Sequence, residues 1–262
     1  MSTPRKPFTL LVPGGLSAAS MYDPVVEELT KRGYEARGVP LPTVRLHTET
    51  GPVREPPTMY EDAGFIASQA EALADAGRDV IIVSQSYGGV PSTESVRAVS
   101  KAARRKLGKP GGVVRLAYAS SLVPELGIAA NEVLRNRPRA EGLSVEMDMD
   151  AARLMVPELS EEEGVRLASG LCYHSSTSFT NPLTYAGYKD VAVSYLLCEN
   201  DIVIPPESQT DMIELVERES GKMVDVTKVQ AGHAPNLVAF KEFVDWIVMM
   251  ADKDGADGAG SS

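Results

Sequence analysis

The chain has 262 residues, 43% of them apolar, which is enough to bury one hydrophobic core but not two independent ones. We therefore expect one domain over residues 1–252, followed by a disordered tail of small and polar residues over 253–262. A formal net charge of −10 argues against a nucleic-acid or membrane partner, because both recruit clustered Lys and Arg. Two cysteines allow one disulfide at most, and no signal-peptide core or membrane span is found, so we expect a cytoplasmic location.

Short apolar segments alternate with amphipathic ones along the chain, which is the pattern of a parallel sheet with helices on both faces. The predicted strands are Phe8–Val12, Tyr34–Val39, Asp79–Val83, Val113–Ala119, Val191–Cys198 and Met223–Gln230. The predicted helices are Met21–Lys31, Met59–Ala76, Val90–Ala103, Glu207–Glu219 and Leu237–Met250. A proline-rich stretch, Pro40–Pro57, is interpreted as a surface excursion. The predicted fold class is α/β, a doubly wound and mostly parallel sheet of about six strands.

Residues 124–185 interrupt this alternation. The segment is too long for a plain crossover and too apolar to be disordered, and Ser160 with Glu163 has the spacing of a helix capping box. We interpret it as a helical lid inserted between core segments 8–123 and 186–250. Because it leaves the sheet at the carboxyl end of a strand, we expect it to roof a pocket and set substrate choice, with Met147, Met149 and Met155 as specificity residues.

The strongest chemical signal is the sequence Ser84-Gln85-Ser86-Tyr87-Gly88, which follows the Asp79–Val83 strand and precedes a helix. A serine on a sharp strand-to-helix turn projects its hydroxyl above the sheet, and the turn closes only when the residues two before and two after it are small. Ser84 and Gly88 meet that requirement, so Ser86 is the candidate nucleophile. The alternative interpretation is a polar turn that caps the next helix.

A serine nucleophile needs a histidine base, and the chain has three histidines. His233 lies in the loop after the last strand, where a doubly wound sheet places its ligands, so it can share a crevice with Ser86. His47 lies in the proline-rich stretch and His174 in the lid, and both are interpreted as surface or packing residues.

The histidine in turn needs a carboxylate that holds its proton on the far nitrogen. Asp201 follows the Val191–Cys198 strand, and one helix and one strand separate it from His233, so both loops return to the same sheet edge. Glu125, after the preceding strand, is the alternative acid.

An oxyanion site requires a second backbone donor besides the Tyr87 amide that follows Ser86. The loop Pro13-Gly14-Gly15-Leu16 after the first strand fills that place, with the Gly15 amide as the predicted donor and the Leu16 amide next. The two glycines also fit a plain tight turn.

The order Ser86, Asp201, His233 and the strand-turn-helix setting of Ser86 resemble the α/β-hydrolase superfamily from Phe8 to Met250. Within it the chain is similar to the small lidded members: plant methyl esterases, hydroxynitrile lyases and hydrolases of microbial natural-product pathways. The residues most like that group are Leu196, Cys198, Glu199, Asp201, Ile204, Pro205 and Gln209. Two positions depart from the family pattern, since Pro13 replaces a common histidine and Ser84 replaces the first elbow glycine.

Other classes lack their signatures. The loop after the first strand is neither Gly-x-Gly-x-x-Gly nor a Walker loop, so Tyr185 and Lys189, which have the spacing of a short-chain dehydrogenase pair, are interpreted as packing at the lid exit. Cys172 and His174 have no further ligands at zinc-site spacing. We expect no cofactor and no metal.

The expected activity is hydrolysis of a small ester or lactone through an acyl-enzyme on Ser86. Carbon–carbon bond hydrolysis, cyanohydrin lysis, and ligand binding without turnover remain as alternatives, because similar parts serve all of them. The expected partner is the small-molecule substrate, and a homodimer is compatible with the sequence.

Overall fold

A six-stranded parallel sheet forms the centre of the fold in the computed structural model. The structure describes residues 5–46, 55–134, 144–145 and 155–259. His47, Met147 and Met149 lie outside the described residues.

The strands of this sheet are β1 (Phe8–Val12), β2 (Ala36–Gly38), β4 (Asp79–Ser86), β5 (Gly112–Ser121), β8 (Ala192–Cys198) and β9 (Asp225–Val229). They lie in the order β2-β1-β4-β5-β8-β9, and every neighbouring pair is parallel. All six predicted strands are present. The second is shorter than predicted, because only three of its residues are in register with β1.

Helices cover both faces of the sheet. They are α1 (Asp23–Lys31), α2 (Met59–Asp75), α3 (Gly89–Ser95), α4 (Lys101–Lys106), α5 (Ala130–Val133), α6 (Glu161–Ser169), α7 (Pro206–Ser220), α8 (Pro235–Val238) and α9 (Phe240–Ala259). On one face α1 and α9 pack through Leu29 and Phe243. On the other, α2, α3 and α7 pack through Ile66, Val90 and Val216. The predicted doubly wound α/β fold is confirmed.

The segment predicted as one helix over Val90–Ala103 is divided into α3, a 3-10 turn at Val96–Ala98, and α4. Ser100 causes the division, since its hydroxyl accepts a hydrogen bond from the Ala103 amide at 3.2 Å and so starts a new helix as an N-cap. The carbonyl of Val99 is then free to accept from the Val113 amide at 2.8 Å, which ties this turn to β5.

The sequence predicted a helical lid over residues 124–185, but the described part of this segment is not purely helical. It contains α5 and α6, and also strands β6 (Ser144–Val145) and β7 (Tyr173–Ser175). These strands form a small antiparallel sheet with β3 (Val44–Arg45), which comes from the proline-rich stretch. The lid therefore takes an edge strand from outside itself. The predicted division of the domain at residues 124 and 185 stays a prediction.

The prediction of a disordered tail from residue 253 is wrong as far as Ala259, because α9 continues to that residue. Asp254 explains the continuation. Its carboxylate accepts two hydrogen bonds from the Arg115 guanidinium at 2.7 and 2.6 Å, and the Arg115 side chain is only 3% exposed in the middle of the sheet. Asp254 of α9 therefore neutralises a buried charge.

Both cysteines, Cys172 and Cys198, are buried, and they form no disulfide with each other. Within the described ranges, no helix is both long and apolar enough to cross a membrane.

Candidate active site

Ser86 lies at the turn between β4 and α3 in a left-handed backbone conformation with φ of 51°. This strained turn is closely packed, since a Cβ atom on Gly88 would lie 2.4 Å from the Pro13 carbonyl oxygen. The carbonyl of Ser86 accepts a hydrogen bond from the Leu122 amide at 2.9 Å. Ser84, which takes the place of the first elbow glycine, is fully buried. The geometry is that of a nucleophile elbow.

The side chains of Ser86, His233 and Asp201 form a continuous hydrogen-bonded row. His233 Nε2 lies 2.9 Å from Ser86 Oγ, and His233 Nδ1 lies 2.9 Å from Asp201 Oδ2. The other carboxylate oxygen, Asp201 Oδ1, accepts from the amides of Val203 at 2.7 Å and Ile204 at 3.0 Å. Since Asp201 accepts at Oδ2, His233 carries its proton on Nδ1 and presents a lone pair on Nε2 to the serine hydroxyl.

Electrostatics keep Asp201 ionised. Burial raises the pKa of this carboxyl, but the charge and hydrogen bond of His233, together with hydrogen bonds from Ser120 and the Ile204 amide, outweigh burial and lower its pKa. The alternative acid, Glu125, is exposed and makes no hydrogen bond to His233 among the described contacts.

Ser120 was missed by the sequence reasoning. It is the residue before the last in β5 and has a left-handed φ of 44°. Its hydroxyl donates to Asp201 Oδ2 and lies 3.1 Å from His233 Nδ1. The available signal was weak, namely a pair of serines at the carboxyl end of a predicted strand.

Two further contacts hold the His233 backbone. Its amide donates to the Met155 carbonyl at 3.1 Å, and its own carbonyl accepts from Gln85 Nε2 at 2.7 Å. Gln85 precedes Ser86, so the elbow and the histidine loop are tied together directly. Met155 belongs to the lid segment, so the lid also contacts the histidine.

The two predicted oxyanion donors, Gly15 and Tyr87, lie side by side. A Cβ atom on Gly15 would lie 3.6 Å from the Tyr87 Cβ. The second choice, the Leu16 amide, donates instead to Nδ1 of His174 at 3.0 Å. Of the two loop amides considered, the Gly15 amide is therefore the better candidate.

The Tyr87 hydroxyl forms a hydrogen bond with a buried carboxyl group. Asp62 of α2 is fully buried and accepts hydrogen bonds from the Tyr87 hydroxyl at 2.8 Å, the Thr43 hydroxyl at 2.7 Å and the Thr43 amide at 3.0 Å. Burial raises the pKa of Asp62 to about 6, although these three hydrogen bonds act in the opposite direction.

A cavity of about 720 Å³ lies between the start of the lid and α7. Its walls share hydrogen bonds with the site, because Leu122 binds the Ser86 carbonyl and Val203 and Ile204 bind Asp201. Apolar side chains predominate, and Glu125, Glu132 and Asp211 are the ionisable residues lining it. The described lining residues include no lysine, arginine or histidine.

A doubly wound sheet with a serine elbow and a histidine and an aspartate on neighbouring strand ends defines the α/β-hydrolase class. The sequence matches the alpha/beta hydrolase family over residues 9–246, and the chain is an enzyme that belongs to this family. It is 34% identical over 252 residues to a protein of Phoma sp. (strain ATCC 20986 / MF5453) named "Probable hydrolase R7", covering 94% of this chain and 98% of the relative.

Solved structures have the same fold. A pyrethroid hydrolase from Sphingobium faniae JZ-2 superposes with a TM-score of 0.70 at 21% identity, over 94% of this chain and 97% of that one. Polyneuridine aldehyde esterase superposes with a TM-score of 0.68 at 16% identity, over 94% of this chain and 100% of that one. At these identities the likeness is one of fold.

Proposed function

We propose that the protein is a serine hydrolase that cleaves a neutral, apolar ester or lactone through an acyl-enzyme on Ser86. The observation that carries the proposal is the row from Ser86 Oγ to His233 Nε2 at 2.9 Å and from His233 Nδ1 to Asp201 Oδ2 at 2.9 Å. A strained serine in contact with a buried, correctly oriented imidazole is the arrangement that activates a hydroxyl for acyl transfer.

In the first half-reaction Ser86 Oγ attacks the substrate carbonyl carbon while its proton passes to His233 Nε2. The carbonyl electrons move onto oxygen, and the amides of Gly15 and Tyr87 donate hydrogen bonds to this oxyanion. Asp201 stabilises the imidazolium that forms. Collapse of the intermediate expels the alcohol, which takes the proton from His233 and leaves an ester on Ser86.

In the second half-reaction water replaces the alcohol. His233 Nε2 removes a proton from the water as its oxygen attacks the acyl carbon, and the same two amides hold the second oxyanion. When this intermediate collapses, Ser86 takes the proton back and the carboxylic acid is released. A lactone follows the same steps, except that the alcohol stays covalently attached to the acyl group.

The cavity beside the site supports the substrate class. Its volume of about 720 Å³ suits a molecule of drug size. Glu125, Glu132 and Asp211 give it a negative rim. A substrate carboxylate would be repelled there and would find no basic partner among the described lining residues, so we propose that the substrate is uncharged.

An organophosphonate fluoride probe tests the nucleophile, because only an activated serine beside an oxyanion site reacts with it. We expect one adduct by intact mass, located on Ser86 by peptide mapping and absent from Ser86→Ala. Labelling of another residue, or of none while a known serine hydrolase reacts in parallel, would refute the assignment. A stable ligand complex with no acyl-enzyme would favour a lyase or binding protein.

A matched pair of esters tests the substrate charge. We expect p-nitrophenyl butyrate to be hydrolysed with kcat/KM at least about 10-fold above that of mono-p-nitrophenyl succinate, which differs mainly by a terminal carboxylate; about 1.4 kcal/mol corresponds to a tenfold ratio. Asp211→Asn should reduce the ratio of kcat/KM for the butyrate ester to kcat/KM for the succinate ester. Glu27→Gln, at an exposed position on α1, should leave this ratio unchanged. Equal rates for both esters would refute the proposed charge selection.

A further inference from the structure

Both backbone polar groups of Leu16 form hydrogen bonds with the lid. Leu16 follows Gly15 in the loop Pro13-Gly14-Gly15-Leu16, which we call the glycine loop. The Leu16 carbonyl accepts from the Cys172 amide at 2.7 Å, and the Leu16 amide donates to His174 Nδ1 at 3.0 Å. Leu16 has a left-handed φ of 64°, which costs a non-glycine residue roughly 1 kcal/mol or more and persists only where the surroundings enforce it. These two hydrogen bonds hold Leu16 in the left-handed conformation.

The hydrogen-bond partners of His174 fix its tautomer. A backbone amide can only donate, so Nδ1 of His174 carries a lone pair and the ring proton is on Nε2. Nε2 lies 3.0 Å from Ser178 Oγ, which itself donates to the Ser175 carbonyl at 2.8 Å. Burial lowers the pKa of His174 to about 3, so the ring is neutral at physiological pH and remains an acceptor.

His174 also contacts the residues on either side of the oxyanion site. A Cβ atom on Gly15 would lie 3.6 Å from Nδ1 of His174 and 3.0 Å from Phe179 Cζ, so the loop packs directly against these two rings. The ring of His174 meets the ring of Tyr87 edge-on, with centroids 4.7 Å apart. One buried side chain therefore touches the Leu16 amide, Gly15 and Tyr87.

We propose that His174 is a positioning residue of the oxyanion site. By accepting the Leu16 amide, His174 fixes the Gly15–Leu16 peptide on one side of Gly15. Its packing against Gly15 then restricts the neighbouring Gly14–Gly15 peptide, which carries the Gly15 N–H, to the orientation that presents this N–H to the oxyanion formed on Ser86. His174 does not touch the reacting atoms and transfers no proton. This inference rests on the proposed function, since it assigns a role within the same acyl transfer.

If His174 positions the oxyanion site, its removal should weaken stabilisation of the transition state and leave substrate binding nearly unchanged. With p-nitrophenyl butyrate, His174→Leu should lower kcat about 10- to 100-fold and change KM less than about twofold, because loss of a whole oxyanion donor costs about 10²–10³ in kcat. The Ki of a trifluoromethyl ketone, which forms an anionic tetrahedral adduct with serine, should rise by the same factor as kcat falls. A merely structural role would not link these two quantities.

Two isosteric variants make the test specific. The side-chain oxygen of His174→Asn can occupy the position of Nδ1 and accept the Leu16 amide, whereas that of His174→Gln lies one bond further out, near the position of Nε2. We expect the asparagine variant to recover most of kcat and the glutamine variant to recover little. This pair also decides the question if the leucine variant does not fold.

Val165→Ala, on the exposed side of α6, is the matched lid control and should keep wild-type kcat. Wild-type kcat in a folded His174→Leu, or equal activity of the asparagine and glutamine variants, would overturn the role of His174 while phosphonate labelling of Ser86 still supported the hydrolase. Failure of Ser86 labelling in the wild type would instead overturn the proposed function itself.

Discussion

At the scale of single residues, Asp201 shows how backbone amides orient a carboxylate toward the histidine. Two backbone amides occupy its Oδ1 atom, and only Oδ2 remains for His233 and Ser120. The position of Asp201 was predictable because it follows a strand. Ser120 was not, since its hydroxyl reaches the site through a left-handed backbone angle that has no sequence signature.

Replacing the acid tests its role. Asp201→Asn should lower kcat by about 10³–10⁴-fold, because the amide can donate to Nδ1 and so favour the histidine tautomer whose Nε2 cannot accept the serine proton. Steady-state hydrolysis of p-nitrophenyl butyrate measures the change, and circular dichroism verifies the fold.

Glu125→Gln is the matched control for that variant, since Glu125 is exposed and was the alternative acid. Although Glu125 lines the cavity, it makes no hydrogen bond to His233 among the described contacts, so kcat for the uncharged p-nitrophenyl butyrate should stay close to the wild-type value. Activity that survives Asp201→Asn and is lost in Glu125→Gln would move the acid to position 125.

Asp62 makes stability depend on pH. Its folded pKa of about 6 lies above the ordinary value near 4, so between these two values the folded state binds more protons than the unfolded state. The stabilising contribution of the neutral carboxyl is therefore present below pH 4 and is lost as pH rises through 6. Asp62→Asn is neutral throughout and should gain stability relative to the wild type by up to about 3 kcal/mol between pH 4 and 7.

Urea unfolding at several pH values measures this difference, and other titrating groups cancel in it. Glu27→Gln on the exposed side of α1 should show no pH-dependent difference from the wild type. A constant difference between Asp62→Asn and the wild type from pH 4 to 7 would contradict the raised pKa.

At the scale of elements, the lid and the sheet are less separate than the sequence suggested. The expectation was that the sheet carries the chemistry and the lid sets substrate choice. The lid backbone, however, holds two parts of the site, because Met155 accepts from the His233 amide and Cys172 donates to Leu16. We therefore propose that lid side chains set substrate choice, whereas the lid backbone and His174 support the site.

Met155 separates these two roles. Met155 lines a cavity of about 20 Å³ together with Gly14 and Gln85, and its carbonyl accepts a hydrogen bond from the His233 amide. Met155→Ala should shift preference toward an acyl chain one methylene longer by about 1–3 kcal/mol, because a pocket discriminates a single methylene by that amount. Phosphonate labelling of Ser86 should persist, since the carbonyl is unchanged.

A series of p-nitrophenyl esters from acetate to octanoate measures the acyl preference. Val165→Ala, whose side chain is exposed on α6, should leave the profile unchanged. An unaltered profile in Met155→Ala, or loss of labelling in the folded variant, would contradict this division of roles.

At the scale of the whole molecule, sequence patterns predicted the features that depend on residues close together in the chain. Buried strands such as β4 appear as continuous apolar runs, and Ser86, Asp201 and His233 could be placed because they follow strands. The small antiparallel sheet could not be predicted, because Val44–Arg45 gains its partner only from the lid far along the chain. Arg115 likewise pairs with Asp254, 139 residues later, which no periodicity reveals.

The ion pair between Arg115 and Asp254 stabilises the folded state. Asp254→Ala should lower the free energy of unfolding by about 2 kcal/mol, less than the ~3–5 kcal/mol typical of a broken buried ion pair, because Asp225 still binds Arg115 at 3.0 Å. Urea unfolding measures the loss, and kcat should not change. Part of the loss should be recovered in Arg115→Met with Asp254→Ala, since the buried charge is then gone. A single variant as stable as the wild type would contradict this account.

The two contacts on Leu16 also provide a way to observe motion of the lid. The amide hydrogens of Leu16 and Cys172 are both bonded across the boundary between the glycine loop and the lid, so each exchanges with solvent deuterium only when that boundary opens. Their protection factors in the native protein therefore give the free energy of lid opening. Equal values at both positions would identify a single concerted opening.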